Sequence, residues 1–314
     1  MTPKYPHEPI ANIGSLCLSL GISESKLTKL QSNSDSYFFV TKQIVKPDGS
    51  IRQTYDVKPE LKRIHERICS AFLKKVEYPA YLQGSIKKRD YLSNCTQHTN
   101  QKIVISEDVT NFFPSISSSV VHQMWLGVFR FSNEIAKILT DLVCCNGWLV
   151  QGAKPSSFIC NLILWNREAT LVKDFSKRGL TYTRYVDDIT VSSPTNLSKA
   201  SITDVLSKIY GMLASVNAKP NRKKHQVMPN GSRQNVHRVN VNHDNPTLPK
   251  KERNKIKAAV YQCEIEFSTK GALAEYESLY NSTLGRVNNL KRLHTKMGEE
   301  LIARLRKIKP CNKP

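Results

Sequence analysis

The sequence predicts an α+β chain in which short antiparallel strands and hairpins alternate with amphipathic helices, and a basic helical segment closes the C-terminus. Three observations predict it. Tyr37 to Val45 and Ile51 to Val57 are rich in aromatic and β-branched residues and flank the turn formers Pro47-Asp48-Gly49-Ser50, which reads as a hairpin. Leu180 to Val186 and Ile189 to Val191 repeat the pattern around an acidic turn, Tyr185-Val186-Asp187-Asp188. Beyond Pro249 the chain is helical and basic, with Lys250, Lys251, Arg253, Lys255 and Lys257 in one short block.

The remaining elements follow in order. Residues 11–31 carry two short helices, the second capped by Ser23 ahead of the Leu27/Leu30 spacing. Pro59 to Lys75 has helical periodicity through Leu61, Ile64, Ile68 and Leu73, with basic residues on the other face. Tyr78 to Asp90 is loop-like and holds Gln83-Gly84. Gln101 to Ile105 is a short apolar strand that runs into Ser106-Glu107-Asp108-Val109-Thr110-Asn111-Phe112-Phe113-Pro114. Ser117 to Leu126 and Ser132 to Cys144 are helices, the second capped by Ser132. Val150-Gln151-Gly152 opens a loop, and Phe158 to Phe175 reads as one amphipathic helix. Ser198 to Val216 is another helix. Lys223 to Met228 and Arg238 to Val241 are short strands flanking a polar turn at Asn230-Gly231, and the tail from Lys309 to Pro314 frays.

Composition narrows the partners. With 314 residues the chain is long enough for two or three compact units. Lys and Arg number 47 against 26 Asp and Glu, a net charge of +21 that calls for a polyanion, with nucleic acid ahead of anionic membrane. No apolar run reaches the roughly 18 residues of a membrane span, and residues 1–10 lack the apolar core of a signal peptide. The eight cysteines form no Cys-x-x-Cys pair, so reduced, buried thiols in a cytoplasmic protein are expected.

The acidic turn is the most informative stretch. Asp-Asp is ordinary turn chemistry, since Asp side chains bond their own backbone. Adjacent like charges also repel, and a hard divalent cation with oxygen ligands relieves that repulsion. Asp108, at the end of a predicted strand, is a second carboxylate that an antiparallel sheet would bring beside Asp187. Carboxylates from separate elements are what a two-metal phosphoryl-transfer site needs, its ions roughly 3.5–4 Å apart.

Asp108-x-x-x-Phe112-Phe113, Gln151-Gly152 and Tyr185-Val186-Asp187-Asp188 occur in the order and approximate spacing of reverse transcriptases, and the chain resembles a bacterial retron reverse transcriptase. The resemblance runs from the basic hairpin near residue 46 past residue 245. It implies an α+β right-hand polymerase fold with fingers, an antiparallel-sheet palm and a helical thumb. The segments would be fingers at 1–100, the first catalytic palm strand at 101–118, fingers helices at 119–147, palm at 148–244 and an RNA-binding thumb at 245–314.

Residue by residue, the resemblance implies that Asp108 and Asp187 hold two Mg2+ ions with weaker help from Asp188, and that Val109 offers a backbone carbonyl. Phe113 would be the sugar-selecting aromatic, and Phe112 would point into the core. Gln151 and Gly152 would line the dNTP pocket. Lys46 and Arg52 would contact the triphosphate, where Arg suits bidentate binding and Lys a point contact. Lys224, in Lys223-Lys224-His225, would protonate the pyrophosphate leaving group. Lys250, Lys251, Arg253, Lys255, Lys257, Arg286, Lys291 and Arg292 would track nucleic-acid backbones.

Three stretches depart from the family pattern. Ser156-Ser157 stands for the common Ser-Pro, Asn94-Cys95-Thr96-Gln97-His98 carries Cys for Ala, and Val236-His237-Arg238 stands for Val-Thr-Gly. The resemblance further implies a cognate non-coding RNA as template and primer, initiation at a guanosine 2′-OH, and a branched RNA–DNA product (msDNA). It also implies trimming of the template by a host enzyme, and antiphage defence with a separate effector protein, a toxin or nuclease. A group-II-intron-like or diversity-generating reverse transcriptase, and an RNA-binding scaffold that restrains a toxin, are the competing readings.

Overall fold

The structure, a computed structural model, describes residues 1–46, 49, 51–270 and 274–310, the side chains of 269 and 270 apart. The chain forms two compact units, Met1–Asn94 with Lys102–Val227, and Cys95–Gln101 with Met228–Pro314. No helix of the described residues is long and apolar enough to cross a membrane.

The first unit opens with α1 (Ile13–Leu20) and α2 (Glu24–Ser32), the latter capped by the Ser23 hydroxyl, which accepts from the Lys26 amide. The hairpin β1 (Phe38–Val45) and β2 (Ile51–Val57) is a separate two-stranded antiparallel sheet. Of its expected turn, Pro47, Asp48 and Ser50 lie outside the described residues. Then follow α3 (Pro59–Ala71), α4 (Tyr91–Thr96), β3 (Ile103–Thr110), the single turn α5 (Phe112–Ser115), α6 (Ser118–Val128) and α7 (Asn133–Val143). Ser132 caps α7 by accepting from the Ile135 amide. A small hairpin, β4 (Cys144–Cys145) and β5 (Trp148–Leu149), leads to α8 (Ser156–Leu162) and α9 (Glu168–Lys177).

The central sheet comes next: β6 (Thr181–Tyr185), β7 (Asp188–Ser193), α10 (Lys199–Ala214), capped by Ser198, then β8 (Lys219–Pro220) and β9 (Gln226–Pro229). Its order is β6-β7-β3-β8, with β9 also paired to β3. Trp125, Phe112, Phe129 and Phe175 are among the large side chains buried in the core of this unit. The seven cysteines of the described residues are all free and buried.

The second unit contains β10 (Asn235–Val236), β11 (Val239–Asn240), and three helices, α11 (Lys250–Lys270), α12 (Ala274–Lys291) and α13 (Thr295–Lys307). Its helices close on Val260, Cys263, Tyr276, Val287, Leu290 and Leu305. Arg304 forks onto Glu264 at 2.6 and 2.8 Å, tying α13 to α11.

Three expectations need correction. The strand expected at Gln101–Ile105 starts at Ile103 and runs on to Thr110, because Glu107 points inward at 1% exposure and the ladder to β7 continues through Asp108. The single helix expected from Phe158 to Phe175 is two, broken between Leu162 and Glu168. The last carbonyls of α8, on Cys160 and Asn161, accept from the Arg184 guanidinium, and Glu168 turns to meet the same group. The strands expected at Lys223–Met228 and Arg238–Val241 are shorter, β9 and β11. β9 joins β3, whereas β10 and β11 form their own ladder across His237-Arg238, whose φ values of 49° and 67° suit a two-residue hairpin turn.

Candidate active site

Antiparallel pairing sets the centre of the site. In the β3–β7 register Asp108 lies opposite Asp188, so the two side chains share a face of the sheet. Asp187 sits in the turn between β6 and β7, and its carbonyl accepts from the Val109 amide at 3.1 Å. Val109 itself is 3% exposed. The three carboxylates thus come from one strand and one hairpin of a single rigid sheet.

Asp187 and Asp188 are loaded by burial and by their neighbouring carboxylates. Burial raises the Asp187 carboxyl above the usual range, and the Asp108 charge adds to the rise while Arg52 and Lys224 oppose it. Asp188 is pushed up to about 7 by burial, then by Asp187 and Asp108. Asp108 is held differently. Its Oδ1 accepts from Lys224 Nζ at 2.9 Å, and its Oδ2 from Asn221 Nδ2 at 3.0 Å. Among the described residues, no three His, Cys, Asp or Glu side chains close on one point, in keeping with Asp108 facing Lys224 and Asn221. The donor set is nonetheless all oxygen, and the crowding that lifts Asp187 and Asp188 is what a hard dication offsets, so the residues fit such an ion.

The loop from Asn221 to His225 is gripped from both faces of β3. Asn221 N donates to the Asp108 carbonyl at 2.7 Å, while the next side chain back, Glu107, is buried and pairs with His225 Nδ1 and with the Tyr210 hydroxyl. The alternation of side chains along a strand lets neighbouring residues hold one loop by two handles.

The β1–β2 hairpin and the Gln151-Gly152 loop meet through specific bonds. Arg52 Nε donates to Gln151 Oε1 at 2.9 Å, and Tyr55 N donates to the Gln151 carbonyl at 2.8 Å. Gly152 has a φ of +109°, and a Cβ there would lie 2.3 Å from the Tyr55 carbonyl oxygen, so only glycine permits this approach. Lys46 Nζ donates to Asn111 Oδ1 at 3.1 Å. Asn111 is left-handed at φ 46° and starts α5, on which Phe112 is buried at 2% exposure and Phe113 is half-buried. The structure therefore brings Asp108, Asp187, Asp188 and Lys224 together, and links Lys46, Arg52, Phe113, Gln151 and Gly152 through the hairpin, α5 and the loop.

The comparisons with known proteins give the family. Residues 44–240 match the family described as reverse transcriptase (RNA-dependent DNA polymerase). The chain is 33% identical to the Retron Se72 reverse transcriptase of Salmonella heidelberg (strain 579083-10), over 98% of this chain and 82% of the relative. It belongs to the retron reverse transcriptases. The Retron Ec48 reverse transcriptase of Escherichia coli is 31% identical, over 96% of this chain and 77% of that one. An apo telomerase from Candida Tropicalis overlaps 71% of this chain and 60% of that chain, at 11% identity and a TM-score of 0.44. This retron reverse transcriptase has the α+β right-hand polymerase fold of its family and is an RNA-directed DNA polymerase.

Sequence reasoning missed several residues that build the site of this reverse transcriptase. Asn221 and the Glu107–His225 pair carry no motif of their own. Gly84 lies behind the acidic turn, where a Cβ would come within 2.9 Å of the Val186 amide nitrogen. Arg184 and Glu168, both buried, are a basic and an acidic residue inside apolar patterns, and that was the one available signal. The departures at Cys95 and Val236-His237-Arg238 meet in the second unit. The Cys95 thiol donates to the Val236 carbonyl, and His98, fully buried, is pushed down to about 3 by burial and by neighbouring His237. Of the basic residues expected on nucleic acid, Lys250, Lys251, Lys255, Lys257, Arg286 and Arg292 are exposed, and Lys291 pairs with Glu299 at 3.3 Å.

Proposed function

We propose that the chain makes a branched RNA–DNA (msDNA) from a structured non-coding RNA, primed at a guanosine 2′-OH, and works in antiphage defence beside a separate effector protein in the cytoplasm. The observation that carries the chemistry is the crowding of Asp108, at the end of β3, with Asp187 and Asp188 of the β6–β7 hairpin. Asp108 and Asp187, with Asp188 and the Val109 carbonyl, would hold two Mg2+ ions. Bound there, the ions lower the pKa of the attacking hydroxyl and neutralise charge on the transferred phosphate.

The protein groups have separable tasks. The attacking hydroxyl forms the new O–P bond at the α-phosphate of a dNTP as the bond to pyrophosphate breaks. Arg52 and Lys46 bind the triphosphate, and the Arg52–Gln151 bond presets the guanidinium over the loop. Phe113 packs where a ribose 2′-OH would project, and Gln151 and Gly152 line the base and sugar. Lys224 gives a proton to the leaving oxygen as charge builds there. The thumb, residues 245–314, tracks the RNA and the hybrid with the exposed side chains of Lys250, Lys251, Lys257 and Arg286, and the net charge of +21 favours that contact.

Purified protein with its cognate RNA, Mg2+ and dNTPs should yield a DNase-sensitive product that remains joined to RNA through a 2′–5′ branch. DNA made without that branch would refute the priming. Unchanged synthesis in Asp108→Ala would refute the site, and phage resistance by this chain and its RNA with no effector protein would refute the two-component system.

A further inference from the structure

The acidic turn is strained where it is most exposed to consequence. Val186 has a φ of +59°, a left-handed backbone that a β-branched residue avoids unless its surroundings over-determine it. Those surroundings are named by the hydrogen bonds. Arg184, fully buried, donates from Nη1 to the Val186 carbonyl at 2.9 Å. Its other donors go to the carbonyls of Cys160 (3.0 Å) and Asn161 (3.0 Å) and, as a fork, to Glu168 at 2.6 and 2.8 Å. All five guanidinium N–H groups are thereby spent, and the Tyr182 hydroxyl also donates to Glu168 at 2.8 Å. Asn161 closes the ring by donating from Nδ2 to the Gly84 carbonyl at 2.7 Å, and Gly84 is the residue whose missing Cβ lets it lie against the Val186 backbone.

A buried ion pair stabilises a fold no better than well-packed apolar residues of its size, so its retention needs another reason. Arg184 supplies one, since it reaches the metal-side turn and the last turn of α8 at once, and α8 follows directly from the Gln151-Gly152 loop. Glu168 meanwhile cancels its charge, so none of its donors is left to pair with Asp187 or Asp188 and compete with a cation.

We propose that Arg184, neutralised by Glu168, is a positioning residue that holds Val186 left-handed, aims the Asp187 carboxylate and locks the acidic turn to the helix behind the nucleotide loop. This rests on the reading of Asp187 as a metal-holding carboxylate.

Arg184→Lys tests it, because an ammonium keeps the charge opposite Glu168 but lacks the planar fork that spans five acceptors. Mg2+ titrations read by thermal shift and by calorimetry, RNA binding, and the split of kcat against dNTP KM are measured together. The half-saturating Mg2+ should rise and kcat should fall by about 10-fold or more, with RNA affinity unchanged. The double variant Arg184→Lys/Val186→Gly should recover most of the Mg2+ response, because glycine adopts this φ without help. A folded Arg184→Lys protein with wild-type Mg2+ dependence and kcat overturns the proposal. If Arg184→Lys does not fold, failure of the glycine rescue overturns it as well, since Arg184 would then be a core residue only. A wild-type protein with no Mg2+ shift sensitive to Asp187→Asn would instead refute the metal reading itself.

Discussion

Lys224 Nζ lies 2.9 Å from Asp108 Oδ1, an exposed ammonium on a carboxylate that is only 15% exposed. The contact places a proton donor beside the strand that carries Asp108. If Lys224 protonates pyrophosphate, Lys224→Ala should lower single-turnover incorporation by about 10²-fold or more, with dNTP affinity changed little. Lys224→Arg keeps the ion pair yet cannot release a proton near neutrality, and should be nearly as slow. Rapid-quench kinetics on a primed template check both, and a fast Arg variant would reduce Lys224 to an electrostatic partner.

Gly152 faces a different constraint. A methyl group there would meet the Tyr55 carbonyl at 2.3 Å, in a backbone conformation that alanine avoids. Gly152→Ala must therefore push β2 off the loop, which moves Arg52 from Gln151. Destabilisation of about 1–3 kcal/mol is expected, a melting shift of several degrees, together with a raised dNTP KM. Calorimetry and steady-state kinetics read the two effects separately. A raised KM without a melting shift would point to Arg52 alone.

How far the sequence disclosed this site depended on distance along the chain. The hairpin around Asp187, the strand at Asp108, the Ser23 and Ser132 caps and the Gly152 loop all carry local signals of periodicity, cap or turn chemistry. What was illegible is long-range. Nothing near Glu168 announces that it will meet Arg184, and that meeting ends α8 where amphipathic periodicity would have continued. The Asn221–Asp108 bond and the Glu107–His225 pair likewise join residues more than a hundred positions apart. His237-Arg238 as a hairpin turn was hidden for another reason, because neither residue is a usual left-handed turn former.

Phe113 is the second residue of the short helix α5, whose N-cap Asn111 accepts from Lys46. Its ring packs edge-on against Phe112, with centroids 6.5 Å apart, so one aromatic is anchored in the core and the other is left half-exposed beside it. Phe113→Ala should leave dNTP incorporation within a few-fold and raise rNTP incorporation by about 10-fold or more, since the lost ring is a steric and not a hydrogen-bonded barrier. Competition between dATP and rATP on a single-adenine template measures this, and unchanged discrimination would remove the sugar gate.

Acid should unfold the protein through its buried imidazoles. His65 is fully buried, its Nε2 lies 2.7 Å from the Leu142 carbonyl, and burial pushes it down to about 4. In the second unit burial pushes His98 down to about 3 and His237 to about 4. The unfolded chain binds a proton at each site near the ordinary value of about 6.5, while the folded chain does not. Each imidazole therefore contributes stability that is complete above pH 6.5 and is lost as pH falls toward 4 for His65 and His237 and toward 3 for His98, on the order of 3 to 5 kcal/mol per site at the limit. Asp188, raised to about 7, takes up a proton in the folded chain over the same range and opposes this loss, so urea denaturation reads the imidazole contribution as the difference in slope between the wild type and a His65 variant. His65→Gln retains an N–H for Leu142 but has no proton site, so its slope between pH 6.5 and 4 should be shallower by one bound proton. An unchanged slope in that variant would mean that His65 is already charged in the folded protein, against its burial and its bond to Leu142.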